Sequence, residues 1–325
     1  MISLETLKKN VNNTIDKTDF PELGEKYEGK VRDNYISKSR RTIIVTDRIS
    51  AFDRVLCSLP FKGQVLNQTS SFWFEKTRKI VPNHVLDIPD PNAMIVKECK
   101  PLAVEMVVRG YITGVTSTSI WHNYQKGVRN FCGSALPEGL VKNQKLDKPI
   151  LTPSTKAEKG SHDMSVSREY FFEHNIIGKD VYEQVEKAAL SLFEFGTRLC
   201  AKNNLILVDT KYEFGLYNGE VTLIDEIHTP DSSRFWIKDT YDELFSHGKE
   251  PQKLDKEYVR EWLAQRGFIG EGAIPRIPDE IRAEASRRYI QAYEMITGNE
   301  FMIPDESQNV IERIRHNLKV KGYLL

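Results

Sequence analysis

Three charged side chains at alternate positions, Asp209, Lys211 and Glu213, follow an apolar run from Leu205 to Val208. The run reads as a buried strand. Strand side chains repeat every two residues, so the three charges share one face and Thr210, Tyr212 and Phe214 take the other. Asn218-Gly219 comes next; both residues tolerate positive φ, which marks a two-residue hairpin turn. The return strand, Val221 to Ile224, ends in Asp225-Glu226. Like charges facing each other across a ladder destabilise it, so acids at both strand ends need a reason. One reason is a hard cation, because Mg²⁺ takes a few carboxylates and leaves positions for phosphate oxygens. Lys211 among the acids would then act as a point charge on a phosphate or carboxylate. The other reading is a solvated hairpin face held by internal salt bridges. The turn pairs Tyr217 with Glu220, sets Glu213 opposite Ile224 and Lys211 opposite Glu226, and leaves Asp225 on the other face. For Asp225 and Glu213 to share a metal, a bulge has to change the parity.

Other stretches carry weaker signals. Gly24 and Gly29 bracket a strand-like alternation, with Lys30, Arg32 and Asp33 after it. A glycine turn between strands lets backbone N–H groups approach a phosphate. No helix follows and the Walker spacing is absent, so the pattern is nearer to the glycine-rich flap of kinases. An ordinary turn is the plainer reading. The strand Arg41 to Thr46 opens onto a polar run from Asp47 to Asp53 that includes Ser50, either a ligand site or an Asp-Arg salt bridge in a loop. Glu105 lies inside an otherwise apolar strand and needs a partner if buried. Arg109 at that strand's end could grip a phosphate with both arms.

Around these stretches the sequence predicts a frame. Helices are expected over 1–20, 64–79, 115–126 and 180–203, the last with Asp180 and Glu183 as a capping box. Residues 127–165, which include Lys156 and His162, read as one long loop, a kind of segment that is functional or disordered. A C-terminal layer follows: a helix capped by Asp255 and running to Arg266, then Pro278–Thr297 and Pro304–Lys321. It reads as structural, with Lys256 and Arg260 as side chains that could reach a cleft.

The chain has 325 residues, 40% hydrophobic and 28% charged, enough for two lobes with a sizeable core. Its 46 basic and 46 acidic side chains cancel, so no overall field favours nucleic acid or an anionic membrane. No apolar run approaches the ~20 residues of a membrane span, and the first residues lack the apolar core of a signal peptide. Cys57, Cys99, Cys132 and Cys200 are dispersed, as buried thiols of a cytoplasmic protein would be. The sequence leaves the oligomeric state open.

Five stretches, in order, resemble the phosphoribosylaminoimidazole-succinocarboxamide synthase (SAICAR synthase) family of purine biosynthesis. They are Gly29 to Asp33, Thr46 to Asp53, Pro101 to Arg109 with Thr113-Gly114, Leu207 to Gly215, and Asp225-Glu226 through Thr229 to Trp236. The resemblance covers about 24–260. It implies a two-lobed α+β fold: a β-rich N-terminal lobe with a kinase-like flap over 1–112, a central α+β lobe related to ATP-grasp over 113–240, and C-terminal helices over 241–325.

It also implies an ATP-dependent ligase. The substrates are ATP, carboxyaminoimidazole ribonucleotide (CAIR) and L-aspartate; the products are the succinocarboxamide ribonucleotide, ADP and phosphate, by way of an acyl phosphate. By the matched motifs, Gly29, Lys30, Arg32, Glu105 and Lys156 would attend ATP. Glu213 and Asp225 would hold Mg²⁺. Ser50, Asp53, Arg109 and Arg234 would contact CAIR, and Lys211 and Asp209 would lie between the substrates as catalytic groups. Val115 stands where the family commonly has serine, so the substrate phosphate would look to Thr116, Ser117 or a backbone N–H instead. Two alternatives stay beside this: a kinase-like small-molecule phosphotransferase, which finds no support in the kinase tripeptides H-R-D or D-F-G, and a non-catalytic scaffold.

Overall fold

The glycine-bracketed alternation after Gly24 forms an antiparallel sheet. In the computed structural model, which describes all residues except 1, 53, 157–162, 255, 306, 307 and 325, helix α1 (Leu4–Lys9) leads into β1 (Glu25–Glu28), β2 (Arg32–Ser37) and β3 (Arg40–Val45). A two-stranded ribbon, β4 (Arg48–Ala51) and β5 (Arg54–Ser58), and helix α2 (Lys62–Thr77) come before β6 (Val85–Asp90) and β7 (Ala93–Lys97). The sheet order is β1-β2-β3-β7-β6. Period-two alternation buries both of its faces. Ile43, Val45, Met94 and Val96 enter the main core with Trp73 and Phe74 of α2. Ile44, Ala93 and Ile95 enter a second core with Ile15, Phe20, Ile314 and Leu318.

The second sheet holds the charged strand. β8 (Lys100–Tyr111) opens it; α3 (Ile120–Gln125), a short hairpin of β9 (Asn130–Phe131) and β10 (Ser134–Ala135), β11 (Lys145–Leu151) and β12 (Ser154–Thr155) follow. Then come α4 (Arg168–Glu173), the long α5 (Lys179–Lys202), β13 (Leu205–Tyr217), β14 (Glu220–Ile224) and β15 (Ser233–Ile237). The order is β11-β8-β13-β14, with β12 also on β8 and β15 also on β13. Tyr212 and Phe214 of β13 and Met106 and Val108 of β8 face Val185, Leu192 and Phe193 of α5, so the opposite face is left for the charges. Helices α6 (Lys238–Ser246), α7 (Glu257–Ala264), α8 (Asp279–Thr297) and α9 (Val310–Val320) complete the α+β architecture.

Several elements differ from the sequence expectation. The first helix stops at Lys9, and Ile15 instead lies in the core, its N–H donating to Asp47 at 2.7 Å. The helix expected over 115–126 begins only at Ile120, because the preceding residues form a loop closed by Thr116 and Ser119. The expected long loop contains β9 to β12; β11 is mostly exposed and lies at the sheet edge, which tolerates its Pro149. The N-cap of α5 is Gly178, with no side-chain cap bond, so Asp180 and Glu183 form no capping box. α9 begins at Val310, where Asn309 accepts from the Ile311 N–H at 2.9 Å. The expected Asp255 cap lies outside the described residues, as does His162.

Two core histidines make a pH prediction. Burial pushes His84 and His228 down to about 3, with Arg32, Arg41 and Lys97 adding to the effect at His84. The native state keeps both neutral, while the unfolded chain takes a proton on each below about pH 6.5. Their folded pKa is depressed, so stability is whole above about 6.5 and is lost as pH falls toward 3. Urea unfolding should show this pair contributing a slope approaching about 2.7 kcal/mol per pH unit. Replacing His84 with Gln should remove about half of that share; an unchanged slope would refute the assignment.

Candidate functional site

The ladder between β8 and β13 builds the charged face. Asp209 pairs with Arg109, Lys211 with Val107, and Glu213 with Glu105. Two glutamates therefore stand directly opposite each other, an arrangement that is unfavourable unless a cation lies between them. Lys211 supplies that cation. Its Nζ is 2.9 Å from Glu105 Oε1 and also contacts Glu213 Oε1. Lys156 approaches Glu213 Oε2 at 2.5 Å from the other side. Burial favours a neutral Lys211 amine, but Glu213, Glu105 and Asp225 outweigh it and hold its pKa well above the ordinary lysine value. Burial also raises Glu213, yet Lys211 and Lys156 hold it well below the usual carboxylate range. Glu105 goes the other way, raised by burial and by Glu213.

The hairpin has the expected register, Tyr217 to Glu220 and Glu213 to Ile224, with positive φ at both Asn218 and Gly219. The parity problem is solved without a bulge in that hairpin. Pairing ends at Ile224, and Asp225 adopts φ +70°. This left-handed step turns Asp225 and Glu226 off the ladder and toward Arg32, which contacts Asp225 Oδ1 and lies 2.6 Å from Glu226 Oε1. Lys211 therefore does not face Glu226 across a ladder. Burial, Glu213 and Glu226 push Asp225 up to about 6 against the opposing Arg32 and Lys211.

A cavity of about 470 Å³ lies between the lobes. Gly29, Lys30 and Arg32 line it on the flap side, and Lys156, Lys211, Glu213, Asp225 and Glu226 line it on the sheet side. The buried Arg48 fixes the flap turn by donating to the carbonyls of Gly29 at 2.9 Å and Lys30 at 3.0 Å. Arg48 also pairs with Asp33 at 2.9 Å, so the Asp-Arg bridge weighed for this segment uses Asp33; Asp47 instead accepts the Ile15 and Gly63 N–H groups. Ser50 lines this cavity too. Glu105 lines neither cavity and stands behind the wall, 8% exposed. Asp53 lies outside the described residues.

A second cavity, about 340 Å³, adjoins the first. Arg109, Asp209 and Arg234 form its charged wall, and Thr116 and Ser119 add hydroxyls. Asp209 Oδ2 accepts from Arg234 at 2.5 Å and lies 3.5 Å from Arg109. Arg109 also donates to Thr152 Oγ1 at 2.7 Å and to the Thr118 carbonyl at 3.0 Å. Burial lowers the Arg109 pKa, with Arg234 adding to the effect and Asp209 opposing it. Lys211, Asp231, Ser232 and Lys256 line both cavities. Val115 is 63% exposed and borders neither.

The sequence left two parts of this site without a role. Glu226 was expected opposite Lys211, and nothing in its spacing signalled the turn that brings it to Arg32. Ser119 was hidden in an expected helix. Lys256 and Arg260, expected only as side chains that could reach a cleft, do line it: the Leu254 N–H bonds to the Phe235 carbonyl and holds the start of α7 beside β15.

The cavities can be compared with known proteins. A family described as SAICAR synthetase matches residues 25–275. The phosphoribosylaminoimidazole-succinocarboxamide synthase of Legionella pneumophila (strain Lens) is 47% identical over 307 residues, covering 94% of this chain and 97% of that one. The SAICAR synthase of Saccharomyces cerevisiae, solved with SAICAR bound, aligns with a TM-score of 0.77 at 31% identity, covering 89% of this chain and all of that one. A type-2 SAICAR synthetase solved with ADP aligns with a TM-score of 0.65 at 25% identity over 86% of this chain. This chain belongs to the SAICAR synthetase family.

Proposed function

We propose that this chain joins the carboxylate of CAIR to the amine of L-aspartate at the expense of ATP, and that the chemistry takes place at Lys211, where the two cavities meet. The ligase role in purine biosynthesis follows from the family. The shared position of Lys211 carries the residue-level reading. A carboxylate is a poor acylating agent, so its oxygen first attacks the γ-phosphorus of ATP and ADP leaves. The aspartate nitrogen then bonds to the acyl carbon, the bond from that carbon to the phosphate oxygen breaks, and phosphate departs. The proton released by the amine passes to Asp209. Such chemistry depends on positioning and on charge neutralisation.

In this reading the first cavity takes ATP. Lys30 and Arg32 meet its phosphates on the flap side, and Lys156 meets them from the opposite wall. Glu213 and Asp225 suit Mg²⁺: they are hard oxygen donors, and Asp225 is raised to about 6 by burial and neighbouring acids, a strain that added positive charge would relieve. Among the described residues no group of three or more His, Cys, Asp or Glu is placed to hold a metal ion, so these two carboxylates would hold Mg²⁺ only together with phosphate oxygens and water. Bound there, Mg²⁺ would neutralise phosphate charge. The second cavity takes CAIR, with Arg109 and Arg234 on its phosphate, Thr116 and Ser119 donating hydroxyls, and Ser50 contacting it from the first cavity. Lys256 and Arg260 supply cations for the aspartate carboxylates.

Four free cysteines support a reducing, cytoplasmic setting. No helix among the described residues is long and apolar enough to cross a membrane.

The deciding experiment is ADP release by purified protein with Mg²⁺, ATP and CAIR, with and without L-aspartate. Release that needs both substrates, with the amide product seen by mass, is the expected result. Release without aspartate or amide would instead mean a phosphotransferase. A second expectation concerns Arg234→Ala. It should raise the KM for the ribonucleotide ~10- to 100-fold, the worth of a charge-assisted phosphate contact, and leave the KM for ATP nearly unchanged. An effect confined to ATP would remove Arg234 from the phosphate site.

A further inference from the structure

Asp231 lines both cavities, but its carboxylate is turned away from them. Lys62 at the start of α2 donates to Oδ2 at 2.7 Å, and the Tyr289 hydroxyl of α8 donates to Oδ1 at 2.6 Å. The Lys62 side chain is fully buried, and its Nζ lies 5.5 Å from the centre of the Tyr289 ring. A buried lysine is costly and needs its partner. Ser286, one turn before Tyr289, bonds to the Pro60 carbonyl at 2.5 Å and locks α8 against the start of α2. Both oxygens of Asp231 are thus engaged from behind. What Asp231 presents forward is its backbone carbonyl, which accepts from Lys256 Nζ at 3.3 Å.

This arrangement has an electrostatic consequence. Without Lys62, the nearest strong partner for the Lys256 ammonium would be the Asp231 carboxylate. With Lys62 in place that carboxylate is paired from behind, and the hydrogen bond Lys256 makes to Asp231 is to its carbonyl, while the Asp231 and Glu226 carboxylates act on it through their charge alone. Burial, together with Arg260 and Lys62, pulls Lys256 below the ordinary lysine value and outweighs the opposing Asp231 and Glu226 charges, so the cation is left short of anion. An incoming dicarboxylate would supply the missing charge.

We infer that Lys62 and Tyr289 are positioning residues for recognition of the amino-acid substrate: they saturate Asp231 and so keep the Lys256 charge free for a substrate carboxylate. The inference rests on the reading of Lys256 as an aspartate contact. It gives the C-terminal helical layer a role in specificity through α8, which touches neither cavity.

The test is steady-state kinetics of the full chain, with the KM measured separately for ATP, CAIR and L-aspartate. Lys62→Met should raise the KM for L-aspartate ~10-fold or more, because an unpaired Asp231 both captures Lys256 and repels the substrate carboxylates, and should leave the other two within ~2-fold. Adding Asp231→Asn to that variant removes the orphan charge and should return the aspartate KM to within ~3-fold of the parent. A purely structural role predicts no such rescue. Tyr289→Phe, which deletes one hydrogen bond, should raise the aspartate KM ~2- to 5-fold and serves if Lys62→Met does not fold. Equal changes in all three KM values, no rescue in the double variant, or an unchanged aspartate KM in Tyr289→Phe would overturn the inference. Lys256→Ala separates the two levels: if it leaves the aspartate KM unchanged, the aspartate assignment itself fails, whereas a raised KM there with normal kinetics in Lys62→Met removes only the positioning role.

Discussion

Glu213→Gln should fold like the parent and lose at least ~10²-fold in turnover, the scale seen when one preorganised charge is removed from a reacting centre. The side chain keeps its volume and loses its charge. In the parent, Glu213 takes Lys211 on one oxygen and Lys156 on the other. Glutamine offers a single acceptor, so one lysine is released toward Glu105 or the phosphates. The hard donor proposed for Mg²⁺ is weakened as well, so the Mg²⁺ concentration needed for half-maximal activity should rise. Circular dichroism and a thermal melt would establish the fold, and a Mg²⁺ titration of ADP release would read the effect. Full turnover at the parent's Mg²⁺ requirement would sink both the metal assignment and the role of the charged ladder.

The two strands that carry this prediction were legible because their signals are local. Alternation placed Asp209, Lys211 and Glu213 on one face, and Asn218-Gly219 fixed the register to the residue. A buried Glu105 demanded a partner, and that partner is Lys211. What the sequence hid depends on chain reversal and on contacts far apart in sequence. Asp225 reaches the cavity through a positive φ at a residue other than glycine, which no spacing rule predicts. The strands between 130 and 155 escaped notice because they are short and lie at edges, where polar residues and Pro149 are tolerated and periodicity is lost. Gly178 caps α5 although an acidic pair stood two residues on, because the backbone takes an extended φ at Gly178 and no side chain is required there. The Lys62 contact with Asp231 spans 169 positions, beyond any local pattern.

Lys211→Met carries the largest expected loss, and its two consequences can be read separately. Catalysis should fall ~10³-fold or more, since of the two lysines that border both cavities the one wedged between Glu105 and Glu213 disappears from the point where negative charge is transferred. Lys211→Arg should recover little, because a planar fork cannot replace a point charge wedged between Glu105 and Glu213 on one strand face. The second consequence is stability. Methionine leaves Glu105 facing Glu213 across the ladder with Lys156 alone to compensate, a loss on the order of 3 kcal/mol when one partner of a buried ion pair is removed. The variant's carboxylates then have folded pKa values above their unfolded ones, so the native state holds a proton that the unfolded chain has released. Native binds more protons, hence the deficit is present at neutral pH and shrinks as pH falls toward the unfolded carboxylate value of about 4.3. Urea melts of parent and variant at neutral and mildly acidic pH measure that difference directly, with the histidine contribution common to both. A deficit that stays constant or grows on acidification would mean that Lys211 does not hold the two glutamates apart, and its loss of activity would then need another cause.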